Sequence, residues 1–273
     1  MRMSVLFSFL ALASGVGVAG MGNAAVLSLD VQHFSFSDYP IAGRAARDAM
    51  LGTHVLSMED FEHQGPAREF VTGTGSDIAQ QSFDTNTVGN FSMTGSQGSG
   101  GTVTNGGPLN PVTNHGVGAY LRDQNTYGRT NTTAGGSFHL DSNDVQNMAW
   151  NVALAGDRMF DRLVFNIFDA ADVGSTFSIL VDGITYFTSA GQRMNGEVSL
   201  VTIVFAHKVR ATSILFQNTI HNDGFGIDDI AIGITPPIPV PLPAGGMLLI
   251  MSLGCLAALK RLLYAGRVQA GQV

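Results

Sequence analysis

Between Phe177 and Phe187 the chain reads FSILVDGITYF, two runs of β-branched and aromatic residues separated by Asp182-Gly183. A two-residue Asp-Gly link closes an antiparallel hairpin, because its tight turn needs residues that accept positive φ. This stretch therefore commits the chain locally to antiparallel sheet. The same alternation recurs nearby. RLVFNIFDA places Leu163, Phe165 and Ile167 on one face, and EVSLVTIVFA sets Val198, Leu200, Thr202 and Val204 against Ser199, Val201, Ile203 and Phe205. A period of two belongs to buried or half-buried strands. Further strands are predicted at AVLSLDV, HVLSMEDF, VGNFSMTG, SFHLD, MAWNV, TSILFQN and FGIDDIAIGI. One helix is predicted in PIAGRAARDAML, with Pro40 in its first turn, Ile41, Ala45, Ala49 and Met50 along one side, and Gly52 at its end. The glycine-rich stretch 95–116 reads as a surface loop or as glycines at sharp β-bends. Many short strands and no βα alternation give an all-β fold over residues 26–235, an antiparallel β-sandwich of jelly-roll type with one short helix near the N-terminus.

The two ends differ from this body. Arg2, the apolar run Val5–Ala13 and the small residues Gly22 and Ala24 read as a signal peptide over residues 1–24, cleaved after Ala24. An uncleaved N-terminal anchor is the alternative. At the other end, residues 236–243 form a proline-rich box, 244–263 a transmembrane helix and 264–273 a short cytoplasmic tail. The run from Ala244 to Leu259 carries no charge, and Lys260 and Arg261 follow at once, which sets them on the cytoplasmic side. The expected location is outside the cytoplasm, at the cell membrane, the cell surface or beyond.

The body holds all 21 acidic residues but only 10 of the 14 basic ones, since Arg2, Lys260, Arg261 and Arg267 lie outside it; its excess is 11 negative charges. Such a surface repels phosphate backbones, so nucleic acid is excluded as a partner. The single cysteine, Cys255, lies in the apolar tail. The body therefore has neither disulfide nor Cys nucleophile nor Cys-ligated metal.

Val240, Pro241, Leu242, Pro243 and Ala244 spell VPLPA, followed by the apolar run and by Lys260 and Arg261. This order resembles the VPLPA variant of the PEP-CTERM sorting signals of exported bacterial proteins. The resemblance implies a membrane-embedded exosortase that recognises the box and cuts near it, and an association with exopolysaccharide or biofilm matrix. A plain C-terminal anchor is the alternative. MEDFE (58–62), YGRTNTTAGG (127–136), LDSND (140–144) and GFGIDDI (224–230) are similar to segments of exported proteins of the same type. GFGIDDI also looks like the last strand of jelly-roll carbohydrate-binding modules.

The usual catalytic constellations are missing: no H-E-x-x-H, no G-x-S-x-G, no phosphate-binding glycine loop. Oxygen-rich knots at EDFE, DSND, DAAD and NDGFGIDD suit a hard cation such as calcium. The resemblance to carbohydrate-binding modules implies a structural calcium joining Glu62 to Asp228. Strand alternation sets Asp229 on the face opposite Asp228. The alternative is that these acids cap turns and face solvent. The sequence thus predicts a non-catalytic exported protein of surface or matrix, membrane-tethered or released by exosortase-type processing. Its expected partners are that enzyme, the membrane and extracellular polysaccharide. A glycan-binding module with structural calcium is the second expectation, a glycoside hydrolase the third.

Overall fold

The computed structural model describes residues 24–52, 54–65, 78–80, 82–97, 118–123, 128–143, 145–171, 175–189, 194–220, 223–235 and 256. The expected signal peptide up to residue 23, the proline-rich box and the expected transmembrane segment, apart from Leu256, lie outside them. Among the described residues no helix is long and apolar enough to cross a membrane. Residues 236–273 form a unit of their own.

The body is built from strands β1 (Val26–Ser35), β2 (Val55–Glu59), β3 (Ile78–Gln80), β4 (Ser82–Asp84), β5 (Gly89–Gln97), β6 (Gly118–Arg122) and β7 (His139–Asn143), then β8 (Val145–Ala153), β9 (Phe160–Ala170), β10 (Phe177–Val181), β11 (Ile184–Thr188), β12 (Met194–Val209), β13 (Ala211–Asn218) and β14 (Gly226–Gly233). They pair antiparallel in two sheets. One runs β1-β12-β9-β14-β7-β6-β3, with β2 also on β14; the other runs β11-β10-β13-β8-β5-β4. This is the expected β-sandwich. The hairpin expected at Asp182-Gly183 joins β10 to β11, and both turn residues have positive φ, 48° and 82°, as a tight two-residue link requires.

The core lies between the sheets, where the inward rows meet. Phe83, Phe91, Trp150, Ile214 and Val181 stand side by side across the six-stranded sheet. Trp150 stacks on Phe91 with centroids 5.4 Å apart and meets Phe165 of the facing sheet edge-on at 5.5 Å. Its indole N–H donates to Val88 O at 3.0 Å, so the one polar atom of this side chain is satisfied inside. The outward row of the same sheet, Ser82, Ser92, Ala149, Leu215, Leu180 and Thr185, faces away from the core.

The helix differs from the expectation in phase. Tyr39–Gly43 winds as a π-turn before α1 (Arg44–Leu51) begins. A π-turn inserts one extra residue and rotates everything after it. Ile41, Ala45 and Ala49 are consequently exposed, whereas Tyr39, Gly43, Arg47 and Leu51 are buried. Leu51, Ala46 and Met50 pack on Val164, Leu200 and Ala231, which places α1 on the outer face of the eight-stranded sheet.

Candidate functional site

Beneath α1 and the segment 128–138, the outer face of the eight-stranded sheet carries a buried polar cluster. Its centre is Asp228-Asp229 on β14. Pairing of β14 with β9 slips between Asp228 and Ala231, and Asp229 has φ 53°. A bulge of this kind adds a residue to the strand, so the expected separation of the two side chains onto opposite faces does not hold. Both reach Thr132. Its Oγ1 lies 2.8 Å from Asp228 Oδ2 and 3.3 Å from Asp229 Oδ2. Asp228 Oδ2 also accepts the amides of Thr132 (2.6 Å) and Thr133 (3.2 Å), and Oδ1 accepts that of Asp229. Asp229 accepts the Thr133 hydroxyl at 2.7 Å and faces the Arg47 guanidinium at 3.4 Å. The Asn166 amide donates to Thr132 Oγ1, to Asp229 and to the Tyr39 hydroxyl.

Burial pushes the Asp228 carboxyl well above the usual carboxylate range, and Asp229 adds to this; the donors from Thr132 and Asp229 pull the other way. Burial and Asp229 likewise raise the Tyr39 hydroxyl above its ordinary value.

Glu62 holds the same segment from its other end. Its Oε1 accepts Asn131 Nδ2 (2.9 Å) and the amides of Ser137 (2.7 Å) and Phe138 (2.8 Å). Glu62 and Asp228, the two residues expected to share a calcium, thus both serve the segment 131–138, through different donors. Gly136 fits this arrangement closely, since a Cβ there would sit 2.3 Å from Glu62 Oε1. Gly136→Ala is expected to destabilise the body by about 1–2 kcal/mol, seen as a Tm lower by about 3–6 °C. Ser137→Ala, which keeps the backbone N–H, should melt like the parent.

A different group does bring metal-ligand atoms together. Those of Glu59, Asp60 and His63 all lie within 4.8 Å of one another. Glu59 is fully buried and already accepts Phe61 N–H (2.8 Å), Gln64 Nε2 (3.1 Å) and the Thr87 hydroxyl. The EDFE knot pointed to Glu59 and Asp60. His63 had no signal in the sequence beyond its place three and four residues after them.

A second buried cluster lies on β6, β7 and the segment beside them. Arg122 and Arg129 share the carboxylate of Asp141, with Arg129 Nε 3.3 Å from Oδ1 and Arg122 Nε bonded to Oδ2. Although burial raises the Asp141 carboxyl, the two guanidinium groups outweigh it and hold it below the usual range. His139 is wholly buried beside them, edge-on to Phe168 at 5.4 Å, and neither ring nitrogen has a hydrogen-bond partner among the described residues. Burial depresses its imidazole to about 3, with Arg122 and Arg129 adding to the effect and Asp141 opposing it. The expectation that the acidic knots face solvent therefore fails at Glu59, Asp141, Asp228 and Asp229, each buried among donors or cations.

No protein-family model matches the chain. No curated protein matches it either. Among solved structures, it is similar to the Agl-KA catalytic domain at 15% identity and a TM-score of 0.29, covering 65% of this chain and 32% of that one. The chain thus spans about a third of that structure's length, and a likeness of this size carries no argument about activity.

Proposed function

We propose that this chain is a non-catalytic, exported protein of surface or matrix, its sandwich of jelly-roll type. It is tethered by its C-terminal segment or released when an exosortase-type enzyme cuts at Val240–Ala244. The observation that carries this reading is the inward use of its reactive and sticky side chains. Asp228 and Asp229 are buried under a segment that they hold in place, whereas a hydrolytic carboxylate pair must flank a bond that water can reach. Trp150, Tyr39 and Tyr120 are buried as well. Their rings serve the core and its cover, whereas Tyr186 on β11 is exposed.

Two experiments test the reading together. Cell fractionation should place the mature body outside the cytoplasm without residues 1–24; a cytoplasmic pool that keeps Met1 refutes export. Replacing Pro241 and Pro243 by alanine should leave export intact and block the mass change at the C-terminus, and an unaltered mature mass refutes recognition of the box. A structural cation is a subordinate part of the proposal. Calcium added to chelated protein should raise Tm, an effect lost in Asp60→Asn if Glu59, Asp60 and His63 hold it and in Asp228→Asn if Asp228 does.

A further inference from the structure

A body without cysteine cannot be stapled by disulfides, and its one lysine, Lys208, is exposed. Any covalent tie between its elements must therefore come from hydroxyl, amide and carboxyl groups. Those three meet beneath the segment 128–138. Thr132 is 3% exposed, Asn166 and Asp228 0%, and Asp229 1%. Thr132 Oγ1 stands 3.0 Å from Asn166 Nδ2, so the amide carbon, one bond beyond, is within reach of the same oxygen. The amide itself is poorly served. Its Nδ2 carries two hydrogens and faces three acceptors, which are Thr132 Oγ1, Asp229 Oδ2 at 3.3 Å and the Tyr39 hydroxyl. Its buried Oδ1 has no hydrogen-bond partner among the described residues. A buried carbonyl oxygen without a donor is rare enough to need a reason.

We propose that Thr132 Oγ1 becomes joined to Asn166 Cγ by an intramolecular ester, which fastens the segment 128–138 to β9. The hydroxyl attacks the amide carbon, the Oγ1–Cγ bond forms, the Cγ–Nδ2 bond breaks and ammonia leaves. No oxidant, reductant or co-reactant is needed. One proton must travel from the hydroxyl to the departing nitrogen, and Asp229 is placed to carry it. Its Oδ2 lies 3.3 Å from both Thr132 Oγ1 and Asn166 Nδ2, so a single carboxylate oxygen takes the proton from one and hands it to the other. Its Oδ1 is occupied by the Thr133 hydroxyl and Arg47. Asp228 fixes the nucleophile, since its Oδ2 accepts the amides of Thr132 and Thr133 and lies 2.8 Å from Oγ1. Holding hydroxyl and amide in contact makes the attack unimolecular, a gain on the order of 10⁵ or more in effective concentration. Burial keeps out water, the nucleophile that would turn the amide into an acid instead. Residues 132, 166 and 229 are far apart in the sequence, so the reaction takes place once per chain, after folding.

Peptide mapping of the full chain, purified in neutral detergent and then denatured, decides the matter. Trypsin cuts after Arg129, Arg158, Arg162 and Arg193, which leaves Thr132 in peptide 130–158 and Asn166 in peptide 163–193. The two are expected as one linked species, lighter than their sum by one ammonia, about 17 Da. Hydroxylamine at mildly alkaline pH, which cleaves esters and spares ordinary amides, should separate them. Thr132→Ser keeps a hydroxyl and should keep the link. Thr132→Val should lose it, and so should Asp229→Asn, in which nucleophile and amide both remain. The proposal is overturned by free peptides of unaltered mass in the parent, by a peptide 163–193 that carries an acid at position 166 and no partner, by a link that resists hydroxylamine, or by a link that persists in Thr132→Val. A link that persists in Asp229→Asn overturns the role of Asp229. The first three outcomes are read on the parent alone, so a variant that fails to fold leaves the test intact. None of them bears on cellular location, so fractionation can fail or succeed independently.

Discussion

Asp141→Ala is expected to destabilise the body by about 3–5 kcal/mol, the range seen when one partner of a buried ion pair is removed. The reason lies in what remains. Arg122 and Arg129 are both buried and lose the carboxylate that they share. Arg129 still has Asp169 at 3.8 Å, while Arg122 keeps the ring of Tyr120 at 4.5 Å. A cation over an aromatic face recovers about 2 kcal/mol in a desolvated site, less than the lost ion pairs. Asp141→Asn keeps the shape and one acceptor, so it should fall between parent and alanine variant. Urea or thermal melts decide the matter; an alanine variant within about 1 kcal/mol of the parent would show that the network holds little.

The second large effect is with pH. His139 has a folded pKa of about 3, against about 6.5 in an unfolded chain. The unfolded state therefore takes up a proton that the folded state refuses, and stability falls as pH drops below 6.5. The slope approaches about 1.4 kcal/mol per pH unit well below 6.5, which gives about 2.3 kcal/mol between pH 6.5 and 4.5, and the loss levels off below the folded value. Asp141, held low, adds its own loss only below the ordinary carboxylate range. Asp228, held high, acts with the opposite sign, because the folded state binds its proton first and gains stability as pH falls toward that range. His139→Gln removes the imidazole and with it this pH response. Denaturant melts at pH 7 and pH 4.5 should show a drop in the parent that exceeds the drop in the variant by about 2–3 kcal/mol. Equal drops would mean that His139 is not the group that responds.

What was legible in the sequence was whatever local chemistry decides. Asp182-Gly183 specifies its turn through two adjacent positive-φ residues, and the alternations in β9 and β12 announce which side chains enter the core. The helix was found, but its buried face was not, because the π-turn at Tyr39–Gly43 follows from packing rather than from spacing. Likewise, nothing in GFGIDDI marks the bulge that brings Asp229 beside Asp228. The buried charges were illegible for a different reason. Arg122 and Asp141 stand 19 residues apart, Asp228 and Thr132 stand 96 apart, and a charge is tolerable inside only when such partners arrive together. Glu62 and Asp228, expected from the sequence to share a calcium, each hold the segment 131–138.

The place of β14 sets an order on assembly. It is the last strand among the described residues, yet it lies in the interior of the eight-stranded sheet, with β9 on one side and β7 and β2 on the other. Until residues 226–233 are available, β1, β12 and β9 form one fragment and β7, β6 and β3 another, with no backbone ladder between them. A chain that emerges N-terminus first thus holds two open halves, and the slow, non-local step comes at the end. The strand that joins them is followed within a few residues by the proline-rich box at 236–243. Under the proposed processing, closure of the sandwich would precede any cut at the box, so that a released body would carry its last described strand already docked.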